Sequence, residues 1–174
     1  MSIGLFILRL TIGLLFMGHG AQKLFGRFGG AGLDGTGRQF ESLGLRPGRR
    51  HALIAGLGEL VGGLLVSLGW FTPLAAAAII AVMVAAIWTV HGKKGVWITD
   101  GGFEYHLVVI AAVFALAGVG AGSWSLDHAM SFADNGTTWA IVALVVGALA
   151  GAGAVLSARE YERPEQHPPH ATAA

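Results

Sequence analysis

Residues 51–70 read HALIAGLGELVGGLLVSLGW, an almost wholly apolar stretch interrupted near its middle by one carboxylate, Glu59. A helix needs about 20 mostly apolar residues to cross the hydrocarbon of a bilayer, and this stretch supplies them. An ionisable side chain near the bilayer interior costs about 2.5–3.5 kcal/mol on insertion scales, so it faces a partner or a wet cavity. The stretch therefore marks a membrane protein and makes Glu59 the centre of any functional site.

Four further runs have the same character: Ile3–Phe25, Pro73–His91, Phe103–Ala121 and Thr137–Ser157. The expected fold class is an all-α integral membrane protein, with residues 1–157 forming one transmembrane bundle. The composition agrees: only 12% of residues are charged, against about 25% in soluble domains, and mean hydropathy is +0.66. A net charge of +1 gives no basis for a nucleic-acid partner. The absence of cysteine excludes disulfide exchange, thiolate metal sites and cysteine-held iron–sulfur clusters within the chain. Any redox role falls to a bound cofactor or a partner protein. The first run is longer than a signal-peptide core and has no basic residue before it, so it reads as a retained helix.

Charge sets an expected orientation. Lys23, Arg27, Arg38, Arg46, Arg49, Arg50, Lys93, Lys94, Arg159 and Arg163 all fall on one side of this topology, and only Arg9 falls toward the other. The positive-inside rule then puts the N-terminus outside and the C-terminus in the cytoplasm of a bacterial inner membrane. Pro73 suits the first turn of the third helix. In the cytoplasmic loop 26–50, Thr36 and Gln39 have the spacing of a capping box. They predict a short helix over 36–43, lying on the membrane surface or folding back over the bundle. Residues 158–174 read as a disordered cytoplasmic tail, whose His167 and His170 are a slight hint of metal binding. Gly58 with Gly62, and Gly147 with Gly151, are small-residue pairs that let helices approach closely. Packing within the chain is their default use, and homo-oligomerisation is the alternative.

The polar residues inside the spans gather toward the cytoplasmic half. His19, Gln22 and Lys23 end the first helix, Glu59 lies in the second, His91 closes the third, and Glu104, Tyr105 and His106 open the fourth. At 1.5 Å per residue, His19 lies about 9 Å in from Phe25 and Glu59 about 12 Å in from His51, so the two reach similar depth. The outer half offers only Arg9 and Thr11. His19 and Glu59 are the candidate catalytic pair, while Lys23, His91, Glu104 and Tyr105 complete a candidate cofactor site. Imidazole and carboxylate suit a divalent metal, with His19, Glu59, His91 and His106 as candidate ligands. The same groups pass protons to a quinone, and paired histidines hold haem. Of these cofactors, quinone fits the whole set best. The bland reading is a structural Glu59–His19 or Glu59–Lys23 pair fixing helix register, with Trp88 and Trp97 as interfacial aromatics.

At these residues the sequence resembles the DoxX family. The resemblance runs through Arg9-Leu, Gly13-Leu-Leu-Phe, His19-Gly, Lys23-Leu-Phe-Gly, Phe28-Gly-Gly, Phe40-Glu-Ser-Leu-Gly-Leu, Glu59-Leu-Val-Gly-Gly, His91-Gly, Gly102-Phe-Glu-Tyr105 and Leu126-Asp127. It implies a four-helix membrane bundle, to which Thr137–Ser157 is an addition. It also implies an oxidoreductase role, since the family includes the small membrane subunit of thiosulfate:quinone oxidoreductase. By matching positions, Arg9, His19, Lys23, Glu59, His91 and Glu104 inherit functional interest. The combined expectation is a membrane subunit, in contact with the lipid bilayer and with a soluble or membrane redox partner, serving quinone-linked chemistry or oxidant defence. The alternatives are a non-catalytic scaffold for a soluble redox enzyme and, last, a small transporter.

Overall fold

A computed structural model describes residues 2–132 and 134–159. The helices are α1 (Ser2–Phe25), α2 (Gly32–Ser42), α3 (Gly48–Leu68), α4 (Thr72–Ala86), α5 (Glu104–Val119), α6 (Leu126–Ala129) and α7 (Thr137–Arg159), and no strand occurs among the described residues. Four helical stretches are long and apolar enough to cross a membrane: Ile3–Phe25, Gly48–Leu68, Thr72–Lys94 and Thr137–Ala158. The chain is thus an all-helical, multi-pass membrane protein.

The expected fourth span is shorter than Phe103–Ala121. Its 16 residues, Glu104–Val119, reach only about 24 Å. The chain before it is consumed by a compact turn in which Phe103 N–H donates to the Gly95 carbonyl and Glu104 N–H to that of Val96. Before this turn, α4 runs on through a π-helical turn over Ile87–His91 and a 3₁₀ turn over Gly92–Lys94.

Lipid tails are as apolar as leucine, so helices in a membrane associate through close packing rather than hydrophobic drive. Close backbone contacts pair glycines seven residues apart on both α1 and α3. A methyl built on Gly63 would lie 2.6 Å from the Gly13 carbonyl oxygen, and one on Gly20 would lie 2.7 Å from that of Gly56. Of the two expected glycine pairs, Gly58 and Gly62 face Val82, Ala78 and Ile79 of α4. Gly147 and Gly151 bring α7 down on α4, where added methyls would meet the carbonyls of Ala77 and Ala81. Both are contacts within the chain.

The predicted short helix starts earlier than 36–43. It begins at Gly32, after Ala31, and no side chain caps it. Thr36 is therefore in its interior and buried, so the Thr36–Gln39 capping box does not form. Gly32, with φ of +68°, turns the chain back soon after α1, and the helix folds over the bundle. Arg49 Nε donates to Asp34 Oδ1 at 2.9 Å, and Gly48 N–H donates to Glu41 Oε1 at 3.2 Å. Phe40 packs with Leu45, Val155 and Ala158. The last helix extends to Arg159, past the expected boundary at Ser157; His167 and His170 lie outside the described residues.

The half opposite the basic residues is not bare, contrary to expectation. Asp127 accepts from Phe71 N–H at 2.8 Å, from Thr72 N–H at 3.1 Å and from Thr72 Oγ1 at 2.6 Å. An anion at the start of α4 satisfies amide groups that the helix itself leaves open. Arg9, 1% exposed, donates to the carbonyls of Ser67 and Trp124. Gly69 ends α3 with φ of +60°, and a methyl there would strike Arg9. This clasp ties α1, the α3–α4 turn and α6 together.

Gly63→Val is expected to lower the thermal unfolding midpoint in detergent, at a cost of about 1–3 kcal/mol for overpacking. Gly153→Ala, whose methyl meets nothing within 4 Å, is expected to leave it unchanged. Equal behaviour of the two variants contradicts the α1–α3 backbone contact.

Candidate functional site

The close approach of α1 and α3 carries directly into the site. Lys23 lies one turn beyond Gly20, and Glu59 follows Gly56 by three residues, so both project from the paired glycine contact. Lys23 Nζ donates to Glu59 Oε1 at 2.8 Å and to Oε2 at 2.7 Å. The Glu59 side chain is 4% exposed and that of Lys23 24%. A carboxylate in this setting holds its charge only with such a partner.

The ion pair borders a cavity of about 680 Å³ near the basic end, lined by residues from α1, α2, α3, α4, α5 and α7. His19 Nδ1–H donates to Gln22 Oε1 at 3.0 Å, and Gln22 Nε2 donates to the Phe28 carbonyl at 3.1 Å, which ties the site to the turn after α1. Tyr105 and His106 enter from α5, and Thr36 and Gln39 from α2. Thr89 reaches the cavity from the π-helical turn, with its hydroxyl donating to the Ala85 carbonyl at 2.8 Å. Single π turns inside α-helices are frequent at functional sites.

The sequence-predicted residues fall into three groups. His19, Lys23, Glu59, Tyr105 and His106 line the cavity together. His91 lies behind His106, with ring centroids 4.3 Å apart, and its Nδ1–H donates to the Gly101 carbonyl at 2.7 Å. Glu104 turns to the preceding loop, where Oε2 accepts from Ile98 N–H at 3.0 Å. Arg9 belongs to the clasp described above. His51, at the start of α3, also lines the cavity and was not anticipated. Its signal was available, because it stands two steps of four residues before Glu59 and so shares its side of the helix.

Three cofactor chemistries can be compared on these positions. Among the described residues no three His, Cys, Asp or Glu side chains converge as a metal site. Of the donors His19, Glu59, His91 and His106, Glu59 is held by Lys23, while the His91 and His106 rings lie against each other, tilted by 42° with centroids 4.3 Å apart. That contact leaves no room for a macrocycle between His91 and His106. A quinone fits better. The cavity is mostly apolar, with an ammonium, imidazoles, amides and a phenol on its wall, which matches an apolar ligand bearing hydrogen-bond acceptors.

Fold and cavity together define a small multi-pass helical membrane protein with a polar pocket at its basic end. The chain belongs to the DoxX family, which it matches over residues 4–92. That match spans α1 to α4 and stops before the Glu104-Tyr105 and Leu126-Asp127 elements. The chain is 33% identical over 117 residues to the Bacillus subtilis (strain 168) protein named "Putative oxidoreductase CatD", covering 67% of this chain and 81% of that one. It is 32% identical over 134 residues to "Uncharacterized membrane protein Rv3486" of Mycobacterium tuberculosis, covering 71% and 79% respectively. No solved structure matches the chain.

Lys23→Met leaves the Glu59 carboxylate buried without its cation and is expected to cost about 3 kcal/mol of stability. The double variant Lys23→Met with Glu59→Leu is expected to recover most of that loss. A double-mutant cycle read by thermal unfolding checks this, and additive single costs contradict the pairing.

Proposed function

We propose that this protein is a membrane subunit of a quinone-linked oxidoreductase or oxidant-defence complex, with the quinone head group held at the Lys23–Glu59 end of the cavity. The observation that carries the reading is an ion pair on the wall of a large, mainly apolar cavity. An ionisable group inside a membrane bundle marks a functional site by default. The name of the Bacillus subtilis relative supports redox chemistry of some kind.

A quinone supplies the electron-accepting chemistry, and its reduction consumes protons. The chain supplies binding and protons. Lys23 Nζ is the donor at the head-group end, with the His19 ring lining the same wall, and Glu59 keeps Lys23 charged and aimed. His106 and Tyr105 furnish further polar contact from α5. His91, packed against His106 and bonded to the loop at Gly101, links the cavity wall to the chain outside the bundle. With no cysteine in the sequence, electrons come from a partner protein, soluble or membrane-bound, that docks at the basic end.

The same reading places that end in the cytoplasm of a bacterial inner membrane. Lys23, Arg27, Arg38, Lys93 and Lys94 gather there, as the positive-inside rule requires. A second reading, a non-catalytic scaffold, is favoured by one observation: both Glu59 oxygens are taken by Lys23, as in a purely structural pair.

A borohydride-reduced minus oxidised optical spectrum separates the two. Wild-type protein purified in mild detergent is expected to show a quinone signal, lost in His19→Ala and Glu59→Gln variants that remain folded. A flat wild-type spectrum from folded protein contradicts the redox reading and favours the scaffold.

A further inference from the structure

The cavity is larger than a single benzoquinone ring requires, and the Lys23–Glu59 pair takes up only part of its mostly apolar wall. The remainder is a slot. Its floor is α4, presented through Ala78, Ala81, Val82 and Ala85, with α3 along one side and α7 along the other. The α3 rim includes Ile54, which is 52% exposed. The α7 rim includes Ala150, also exposed, and Ala154, partly buried. The slot therefore meets the lipid-facing surface along its rims, while its other end reaches the buried groups Glu59 and His106. His106 is 6% exposed, and its buried Nδ1 closes no well-formed hydrogen bond within the protein.

Small residues make the slot possible. Gly151 seats α7 on the Ala81 carbonyl, which fixes the wall at its present distance from the floor. The neighbouring rim positions, Ala150 and Ala154, carry only methyls. Larger side chains at either place would fill the space between α7 and α3. The α7 wall lies beyond residues 4–92, as do Tyr105 and His106, so the family-matched segment supplies Lys23, Glu59 and the α4 floor, and later helices close the rest.

We infer that the slot between α3 and α7 is a lateral entry from the bilayer that holds the isoprenoid tail of a membrane quinone, and that Ala150 and Ala154 set its width. This rests on the quinone reading above and adds to it the class of quinone, one with a long prenyl tail. The occupant follows from the lining: apolar along α3, α4 and α7, bordered by exposed residues at the rim, and reaching the polar groups of Lys23, Glu59 and His106. Burial of apolar carbons along the slot supplies affinity that a ring alone lacks.

The test compares two probes, a dimethoxy-methyl-benzoquinone carrying a decyl tail and the same ring without a tail. Their binding to the full chain in nanodiscs is measured for wild type, Ala150→Phe and the milder Ala154→Leu. Wild type is expected to bind the tailed probe more tightly. Each variant is expected to weaken it by about tenfold, the equivalent of losing burial of roughly two methylenes, with ring-only binding unchanged. Because Ala150 is exposed, the larger side chain there does not disturb packing.

Equal weakening of both probes, or of neither, overturns the tail assignment and leaves the head-group site standing. Failure of wild type to bind either probe overturns the quinone reading and this inference with it. A phospholipid acyl chain is the other apolar occupant of matching chemistry. If native mass spectrometry finds a phospholipid that persists against excess tailed probe and is lost in Ala150→Phe, the slot is a lipid site and the inference fails.

Discussion

The backbones of α1 and α3 touch, and the site depends on that contact. With Gly13 against Gly63 and Gly20 against Gly56, no side chain separates the two helices. One turn further on, an ammonium from α1 reaches both oxygens of a carboxylate on α3 within 2.8 Å. Larger residues at the contact would push the axes apart and break this bidentate geometry. Because the bilayer offers no hydrophobic drive between helices, shape complementarity has to hold the pair together. In turn the ion pair removes the cost of placing a carboxylate at that depth.

The two ends of the bundle use polar groups differently. At the end away from the basic residues, Arg9 and Asp127 are consumed by backbone: the cation takes carbonyls at Ser67 and Trp124, and the anion takes the first amides of α4. Those groups fasten loops to helices and do not line the cavity at the basic end. At the basic end, Lys23, Glu59, His19, Tyr105 and His106 surround open space. This contrast, more than the presence of charge, distinguishes a candidate site from a structural clasp. It also weighs against a transport path, since the clasp closes the opposite end.

Much of the fold was legible because transmembrane helices announce themselves by length and apolarity, and the four long spans follow that rule. α5 departs from it because Gly95, Gly101 and Gly102 allow the preceding chain to fold into a tight turn that shortens the helix, a tertiary arrangement no hydropathy window records. The start of α2 was missed for a related reason. A capping box is a local signal, and here Thr36 is spent on burial instead. In the site, grouping by depth brought His19 and Glu59 together, but depth does not give rotation about a helix axis. The partner of Glu59 is Lys23, and His19 turns to Gln22. The glycines seven apart on α1 and α3 were visible in the sequence, yet their mating requires knowing which helices are neighbours. His51 hid behind its place at a span boundary.

Photolabelling with an azido-quinone, followed by peptide mapping of the full-length protein in membranes, tests the central claim most directly. If the cavity beside Lys23 and Glu59 is a quinone site, label concentrates in peptides from the end of α1, the first half of α3 and the second half of α7, and excess unlabelled quinone removes it. Label spread over the lipid-facing surfaces of α1 and α7 without competition contradicts the account, and makes the ion pair a structural fastening alone.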